Sequence, residues 1–457
     1  MYQLSVLDYV FLLQEYKNSL PLNTFTLIEN KNKECLVPFI KKNIIRNIDN
    51  SIIHSHKMVK GFSKKEYPYL IKDENLNIDN HISSYNLDGL LTEKEKKDLL
   101  KKIYNKKFNI KNPLWELVLI YNFDKLGNTA LIRRIPHFVA DGEANAAVFN
   151  LFFDECTLPK LALKNKKINW FNCKVSNIQK IIKYYALLVF GFLLKANDIN
   201  NKINKSIDIQ ESEWIDPNNT QKSYEKVILE YSYIKEKTKK LGISFTDFCA
   251  YITSTGYINY QSSKNKTINK KIYGSIPMSY RKTKSKKPLY GTQAIGIAFD
   301  LNSQELDDLI RLKKIQNSVK QSLILIKKSP LIFYYKALLN YPFKTKIDKS
   351  IRMLYNTDWN NRKKIPIFNK EEFSIATSIS LKKLTSSNFN YSINNNKILE
   401  TNTFPTIVHS STSIGFNTMF RVDEEKLILS VCSVDGIIED SGTLAMMLEK
   451  AVYDLVN

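Results

Sequence analysis

A polar stretch at residues 197–222, rich in Asn, Asp, Ser and Lys with Pro217 near its end, separates two segments in which strand-like apolar runs alternate with helical ones. No other feature constrains the fold as strongly. Each strand layer and each helix must bury an apolar face, and an alternating order on both sides of a break gives helices stacked on sheets. Residues 1–175 read as one mixed α/β unit, 176–222 as an apolar helix and polar linker, and 223–457 as a second α/β unit. At 457 residues the chain can hold two sizeable cores. Strands are expected at 129–135, 227–231, 272–277, 294–299, 373–380 and 427–431. Helices are expected at 144–153, 233–241, 245–260, 306–325 and 444–456. Strands followed by helices in each half predict two similar α/β layers facing each other.

Composition narrows the class. A hydrophobic fraction of 43% with 12% aromatics is that of a globular chain. The five cysteines (Cys35, Cys156, Cys173, Cys249 and Cys432) are scattered and lack Cys-x-x-Cys spacing, against a disulfide framework or zinc site and in favour of a reducing compartment. The net charge of +23 is carried by lysines interleaved with asparagine and isoleucine, the bias that A/T-rich coding produces. No nucleic-acid-binding signature accompanies it, so a nucleic-acid partner is not expected. The N-terminus shows no secretory signal. The uninterrupted apolar run at 184–194 is well short of the ~20 residues that span a bilayer. It reads as a buried or inter-domain helix or as an interfacial one, and the lysine-flanked cluster at 331–335 as an ordinary amphipathic segment with solvated lysines or as one lying on an anionic membrane surface.

The chemistry concentrates in Arg134-Ile-Pro-His-Phe-Val-Ala-Asp-Gly-Glu143, between the expected strand at 129–135 and helix at 144–153. A histidine on such a connection can serve as general base because its pKa lies near operating pH. Asp141 is too close in sequence to be an independent second catalyst. It reads as an anchor for the loop, with Gly142 allowing a conformation or approach that a Cβ would forbid. From these residues alone, an ordinary loop histidine remains the alternative. His54 and His56, two apart, could share one side of a strand, but no acidic or cysteine ligand completes a metal site. His81 and His409 stand in no motif of their own. Neither a Gly-x-Ser-x-Gly elbow nor a Walker loop is present, which counts against serine hydrolases and nucleotide hydrolases.

The wider neighbourhood resembles a known family. Pro113-Leu-Trp-Glu-Leu-Val-Leu-Ile120 followed by Ala130-Leu-Ile-Arg-Arg-Ile-Pro-His137 is similar to the "PLWE … HHxxxDG" block of wax ester synthase/diacylglycerol acyltransferases, within the CoA-dependent acyltransferase superfamily. Leu4-Ser-Val-Leu-Asp8 with Phe11-Leu-Leu-Gln-Glu15 resembles that family's "LSPMDxxFLxxE", and Leu76-Asn-Ile-Asp-Asn-His81 its "FDLxxHV". Leu241-Gly-Ile-Ser-Phe-Thr-Asp247 resembles "LGxTxND", Ile276-Pro-Met-Ser-Tyr-Arg281 "VPVSLR", and Gly291-Thr-Gln293 "GNQ". Pro136 departs from the pattern where a first histidine is usual. Thr246 and Thr292 stand where asparagines are usual, and the "NVPGP"-like segment expected near 376–380 is not recognisable.

The resemblance implies two chloramphenicol-acetyltransferase-like halves forming a pseudo-dimer around a central tunnel. It implies acyl-CoA-dependent O-acyl transfer to a long-chain fatty alcohol or diacylglycerol, with His137 as base and no covalent intermediate. Asp141, Gly142 and Arg281 would support the site, with Arg281 pairing Asp141; Arg133 and Arg134 are nearer competitors, unless one side of their strand simply faces water. Ser410-Ser-Thr-Ser413 is a candidate source of oxyanion donors, or simply a serine-rich turn. Acyl-CoA is implied as co-substrate with no bound cofactor and no metal. The implied location is intracellular and peripheral: an endoplasmic-reticulum face or lipid droplet in a eukaryote, the inner face of the plasma membrane in a bacterium. An acyltransferase for another alcohol, and a non-catalytic member that binds acyl chains or a partner, are the alternatives.

Overall fold

The computed structural model describes residues 1–5, 8, 11–12, 21–30, 32–59, 67–109, 112–155, 221–266, 268, 272–279, 290–292, 294–328, 375–384, 391–405, 414–423 and 425–457. The first part contributes strands β1 (Tyr2–Gln3), β2 (Pro21–Ile28), β3 (His56–Val59), β4 (Tyr69–Lys72), β5 (Ile82–Asn86), β6 (Glu116–Tyr121) and β7 (Thr129–Pro136). Its helices are α1 (Val37–Asn47), α2 (Ile52–Ser55), α3 (Glu93–Tyr104) and α4 (Gly142–Ala147). The second part contributes β8 (Lys222–Glu230), β9 (Tyr273–Ser279), β10 (Ala294–Asp300), β11 (Ile375–Leu384), β12 (Ser392–Ile393), β13 (Asn396–Thr403), β14 (Phe416–Asp423) and β15 (Lys426–Val434). Its helices are α5 (Tyr231–Lys240), α6 (Phe245–Ser263), α7 (Asp308–Lys328) and α8 (Ser441–Val456).

These elements build two six-stranded sheets, β12-β13-β2-β7-β6-β5 and β10-β9-β11-β14-β15-β8, beside a small sheet β1-β4-β3. The large sheets repeat one pattern. Along β2-β7-β6-β5 the pairings run antiparallel, antiparallel, parallel, and along β8-β15-β14-β11 they do the same, with the strands in the same chain order. The two similar α/β layers expected from the sequence are therefore present as a topological repeat.

Burial explains why the strands read as unbroken apolar runs. In β6, Leu117 and Leu119 join a core with Trp115, Ile135 and Phe152, while Val118 and Ile120 join another with Ile132, Tyr104 and Phe404. A strand covered on both faces loses the alternation of a half-exposed one. The second sheet is covered by α6 and α8 around Phe248, Phe416, Phe420, Leu444 and Leu448. Gly256 lets these helices touch: a Cβ there would stand 2.8 Å from the Leu448 Cα. Capping boxes start α3 (Thr92 with Glu95) and α6 (Ser244 with Asp247), satisfying backbone N–H groups that a helix start leaves open.

Three expectations change. The helix expected at 144–153 is the six-residue α4 followed by a 3-10 turn at Phe149–Phe152. Arg133 accounts for the break, because its guanidinium donates to the Asn145 carbonyl at 3.1 Å and the Val148 carbonyl at 3.4 Å. His54 and His56 do not share a strand face: His54 lies in α2 and His56 opens β3. The buried Trp115 indole donates to the His54 carbonyl at 3.0 Å, and packing on that ring takes precedence over the two-residue spacing. Neither Arg133 nor Arg134 faces water; Arg134 is held by Glu116 and the Lys106 carbonyl beneath the Phe108 ring.

The two parts are interlocked. β13, in the segment assigned by sequence to the second unit, pairs with β2 of the first sheet, Thr401 opposite Thr26 and Asn402 opposite Phe25. Tyr104 of α3 packs on Tyr224 of β8 and Phe404, and Asn105 bonds Lys222 on both backbone groups. Among the described residues, no helix is long and apolar enough to cross a membrane. The apolar segments at 184–194 and 331–335 and the linker at 197–220 lie outside the described residues.

Candidate active site

His137 is the first residue after β7, on the turn that leads into α4. Asp141 caps that helix, its Oδ1 accepting the Ala144 N–H at 2.9 Å. The anchoring role read from the sequence thus takes the form of an N-cap, which holds the end of the His137 turn. Gly142 is the first residue of α4, and a Cβ there would meet nothing within 4 Å. Its backbone is not left-handed either, so no steric need for glycine is found at this position.

The turn is clasped by a segment far away in sequence. Ala140 bridges Gly291 in parallel, the Gly291 N–H donating to the Val139 carbonyl at 2.6 Å and the Asp141 N–H to the Gly291 carbonyl at 3.2 Å. Gly291 has φ +68, and a Cβ there would lie 2.9 Å from both carboxylate oxygens of Asp8. Only glycine meets both demands without strain. The next residue, Thr292, donates its N–H to Asp8 Oδ1 at 2.6 Å and its hydroxyl to the His137 carbonyl at 3.1 Å. The same hydroxyl oxygen lies 3.4 Å from His137 Nδ1.

This arrangement selects a tautomer. The Thr292 hydroxyl has one proton, directed at a carbonyl that can only accept. The tautomer that fits both acceptors beside Nδ1, the hydroxyl oxygen and the ring's own backbone carbonyl, carries its proton on Nδ1 and leaves the Nε2 lone pair as the basic site. Phe11 stacks on the imidazole, ring centres 4.3 Å apart and planes 22° from parallel, covering one face. Burial pulls the His137 pKa below the ordinary 6.5, while the Asp141 charge and the ring's bond to its own backbone carbonyl pull the other way. Asp8 is buried too. Desolvation pushes its carboxyl up to about 6 despite N–H and O–H bonds from Thr292 and Ser5 that favour the charge.

The topological repeat shows that one half carries this equipment. β15 also runs into a helix capped by an aspartate, Asp440, whose side chain accepts the Thr443 N–H at 3.1 Å. Yet the first residue after β15 is Asp435, and the residue four before that cap is Gly436. Neither is a histidine, so among the described residues only the first half of the repeat carries one at this place.

Of the residues singled out in the sequence, His137, Asp141 and Gly142 sit together on one turn. Arg281, His409 and the Ser410–Ser413 cluster lie outside the described residues. His81 Nδ1 donates to the Trp115 carbonyl, 2.9 Å away, and the ring stacks on that indole, so it belongs to the core. Asp8, Phe11, Gly291 and Thr292 were quoted above only as parts of motif blocks. Their signals were a Ser-x-x-Asp capping spacing at Ser5 and Asp8 and a lone glycine ahead of a strand. Neither spacing indicates a meeting with His137.

Comparison with known proteins agrees with the motifs. Residues 4–168 match the family model for the wax ester synthase/diacylglycerol acyltransferase catalytic domain. No curated protein sequence matches the chain. By structure it is similar to a wax ester synthase/diacylglycerol acyltransferase from Marinobacter aquaeolei VT8 at 13% identity and TM-score 0.64, covering 100% of this chain and 98% of that one. It is also similar to the first condensation domain of the calcium-dependent antibiotic synthetase (9% identity, TM-score 0.60, 100% and 95% covered). A third match is the starter condensation domain of rhizomide synthetase in complex with C8-CoA and Leu-SNAC (9% identity, TM-score 0.59, 100% and 93% covered). At these identities the structures establish a shared fold, the chloramphenicol-acetyltransferase-like one expected from the motifs. By sequence over residues 4–168 and by fold throughout, the chain is similar to the wax ester synthase/diacylglycerol acyltransferases, a family of acyltransferases.

Proposed function

We propose that this protein is an acyl-CoA-dependent O-acyltransferase that esterifies a long-chain fatty alcohol, diacylglycerol or both, giving wax ester or triacylglycerol. One observation carries the reading: His137, its pKa lowered by burial and its Nδ1 beside the Thr292 hydroxyl, stands on the turn where the two parts of the chain meet. An alcohol is a poor nucleophile until it loses its proton, whereas a thioester already carries a good leaving group. A single base therefore suffices. His137 Nε2 takes the hydroxyl proton as the alcohol oxygen bonds to the acyl carbon. The C–S bond then breaks, and the proton passes to the CoA sulfur. No acyl-enzyme forms. The rhizomide synthetase domain, which shares the fold, was solved with C8-CoA, and this supports a thioester co-substrate. Arg281 is proposed to pair with Asp141 across the two parts. With no spanning helix among the described residues and substrates that partition into lipid, the protein is proposed to act at a membrane or droplet surface.

The test is purified full-length protein with labelled palmitoyl-CoA, offered hexadecanol and dioleoylglycerol separately, with the lipid products resolved. Ester from either acceptor is expected, and label remaining wholly in CoA and free acid with both would refute the reading. The pH dependence carries a sign. The base works when deprotonated, and burial holds His137 below the ordinary 6.5. Plotted as kcat/KM, activity should therefore be flat through neutrality and fall only on the acid side of that value. An acid limb centred above 6.5 would contradict a desolvated base.

A further inference from the structure

The clasp around His137 assigns work to residues outside the catalytic turn. Three segments converge there: the N-terminal Ser5–Asp8 turn, the His137–Asp141 turn, and Gly291–Thr292. The first and last are joined by a hydrogen bond spanning 284 residues of sequence. Asp8 Oδ2 accepts the Ser5 N–H at 2.9 Å and the Ser5 hydroxyl at 2.7 Å, and Oδ1 accepts the Thr292 N–H. We infer that Asp8 and Thr292 are positioning residues for His137: the Asp8 carboxylate fixes the Thr292 backbone, and the Thr292 hydroxyl holds the imidazole with its proton on Nδ1 and Nε2 free to act. This inference rests on the base role of His137 proposed above.

The geometry distinguishes this from ordinary packing. A buried carboxylate is retained only when its bonds compensate for desolvation, and Asp8 is just 3% exposed. A capping box between Ser5 and Asp8 needs no burial; the surface boxes at Thr92–Glu95 and Ser244–Asp247 serve the same end. The contact that burial adds is the one to Thr292. Gly291, whose missing Cβ makes room for the carboxylate, precedes Thr292, whose hydroxyl lies beside Nδ1 and the His137 carbonyl. An imidazole left to itself prefers the proton on Nε2, the wrong nitrogen for a base pointing away from Thr292. Removing the hydroxyl takes away one of the two acceptors beside Nδ1, the ring's own carbonyl being the other, and should therefore weaken the preference for that tautomer, not merely loosen the site.

Full-length protein carrying ¹⁵N-histidine tests this, with the His137 resonances assigned from their loss in His137→Ala. Wild type should show the Nδ1-protonated pattern. Thr292→Val, which keeps the side-chain shape, and Asp8→Asn, which presents an amide N–H₂ to donors, should each move His137 towards the Nε2-protonated pattern. Each should also lower kcat for palmitoyl-CoA and hexadecanol roughly tenfold, the scale of one hydrogen bond, with KM unchanged. Thr292→Ser should restore both readouts. If Asp8→Asn does not fold, Thr292→Val decides. A folded Thr292→Val protein with wild-type nitrogen shifts and wild-type kcat overturns the inference. A His137→Ala protein that still forms ester overturns the base role itself, a separate failure, because the nitrogen readout does not depend on turnover.

Discussion

Replacing His137 by alanine is expected to lower ester formation by roughly 10²–10⁴, the usual contribution of a positioned general base, while the fold persists. His137 stands on a turn, partly buried, and its loss removes the Phe11 stack and the contact with the Thr292 hydroxyl. The stability change should stay within about 1 kcal/mol, as for positions outside packed cores. Urea unfolding measured alongside acyl-transfer rates separates the two effects. A folded His137→Ala protein turning over at the wild-type rate would remove the histidine from the chemistry. A protein that loses activity only because it unfolds would make the residue structural.

The second large effect belongs to Gly291. A side chain there meets two obstacles: a φ of +68 and Asp8 carboxylate oxygens 2.9 Å from where its Cβ would stand. The left-handed backbone costs roughly 1–2 kcal/mol in any L residue, and forcing atoms into a filled site adds about 1–3 kcal/mol. Gly291→Val should thus destabilise the protein by about 2–5 kcal/mol and reduce activity further, since the same backbone clasps the His137 turn. Denaturant midpoints for Gly291→Val and for a control at Gly142, where a Cβ has open space, make the comparison. Equal midpoints for the two would show that the clasp does not form in solution.

Much of the frame was legible because strands buried on both faces announce themselves as apolar runs. Residues 117–120 and 130–132 are such runs, and both lie where β6 and β7 are found. The helix expected from 245 starts there behind its Ser244 cap, whereas the last helix starts at Ser441 behind Asp440, three residues ahead of the expected 444. The helix after Asp141 was misread in length, since the residue that ends it, Arg133, acts from the neighbouring strand and leaves no mark within residues 144–153. The two arginines at 133 and 134 illustrate the same limit. A charged pair on a strand suggests one side in water, yet carbonyls, Glu116 and aromatic faces receive both inside.

Chemistry carried by neighbours in sequence was determined by the sequence alone: a histidine, an anchoring aspartate four residues later, the strand before and the helix after. Local hydrogen bonds and period-two burial govern all of these, and both act over a few residues. Tertiary structure alone brought Thr292 to His137 and Asp8 to Thr292, across 155 and 284 residues of chain. It alone placed β13 in the first sheet, where ladder bonds to β2 close an edge that local pattern cannot assign. Contacts between segments so distant form only when whole layers pack, and no spacing within one segment encodes them.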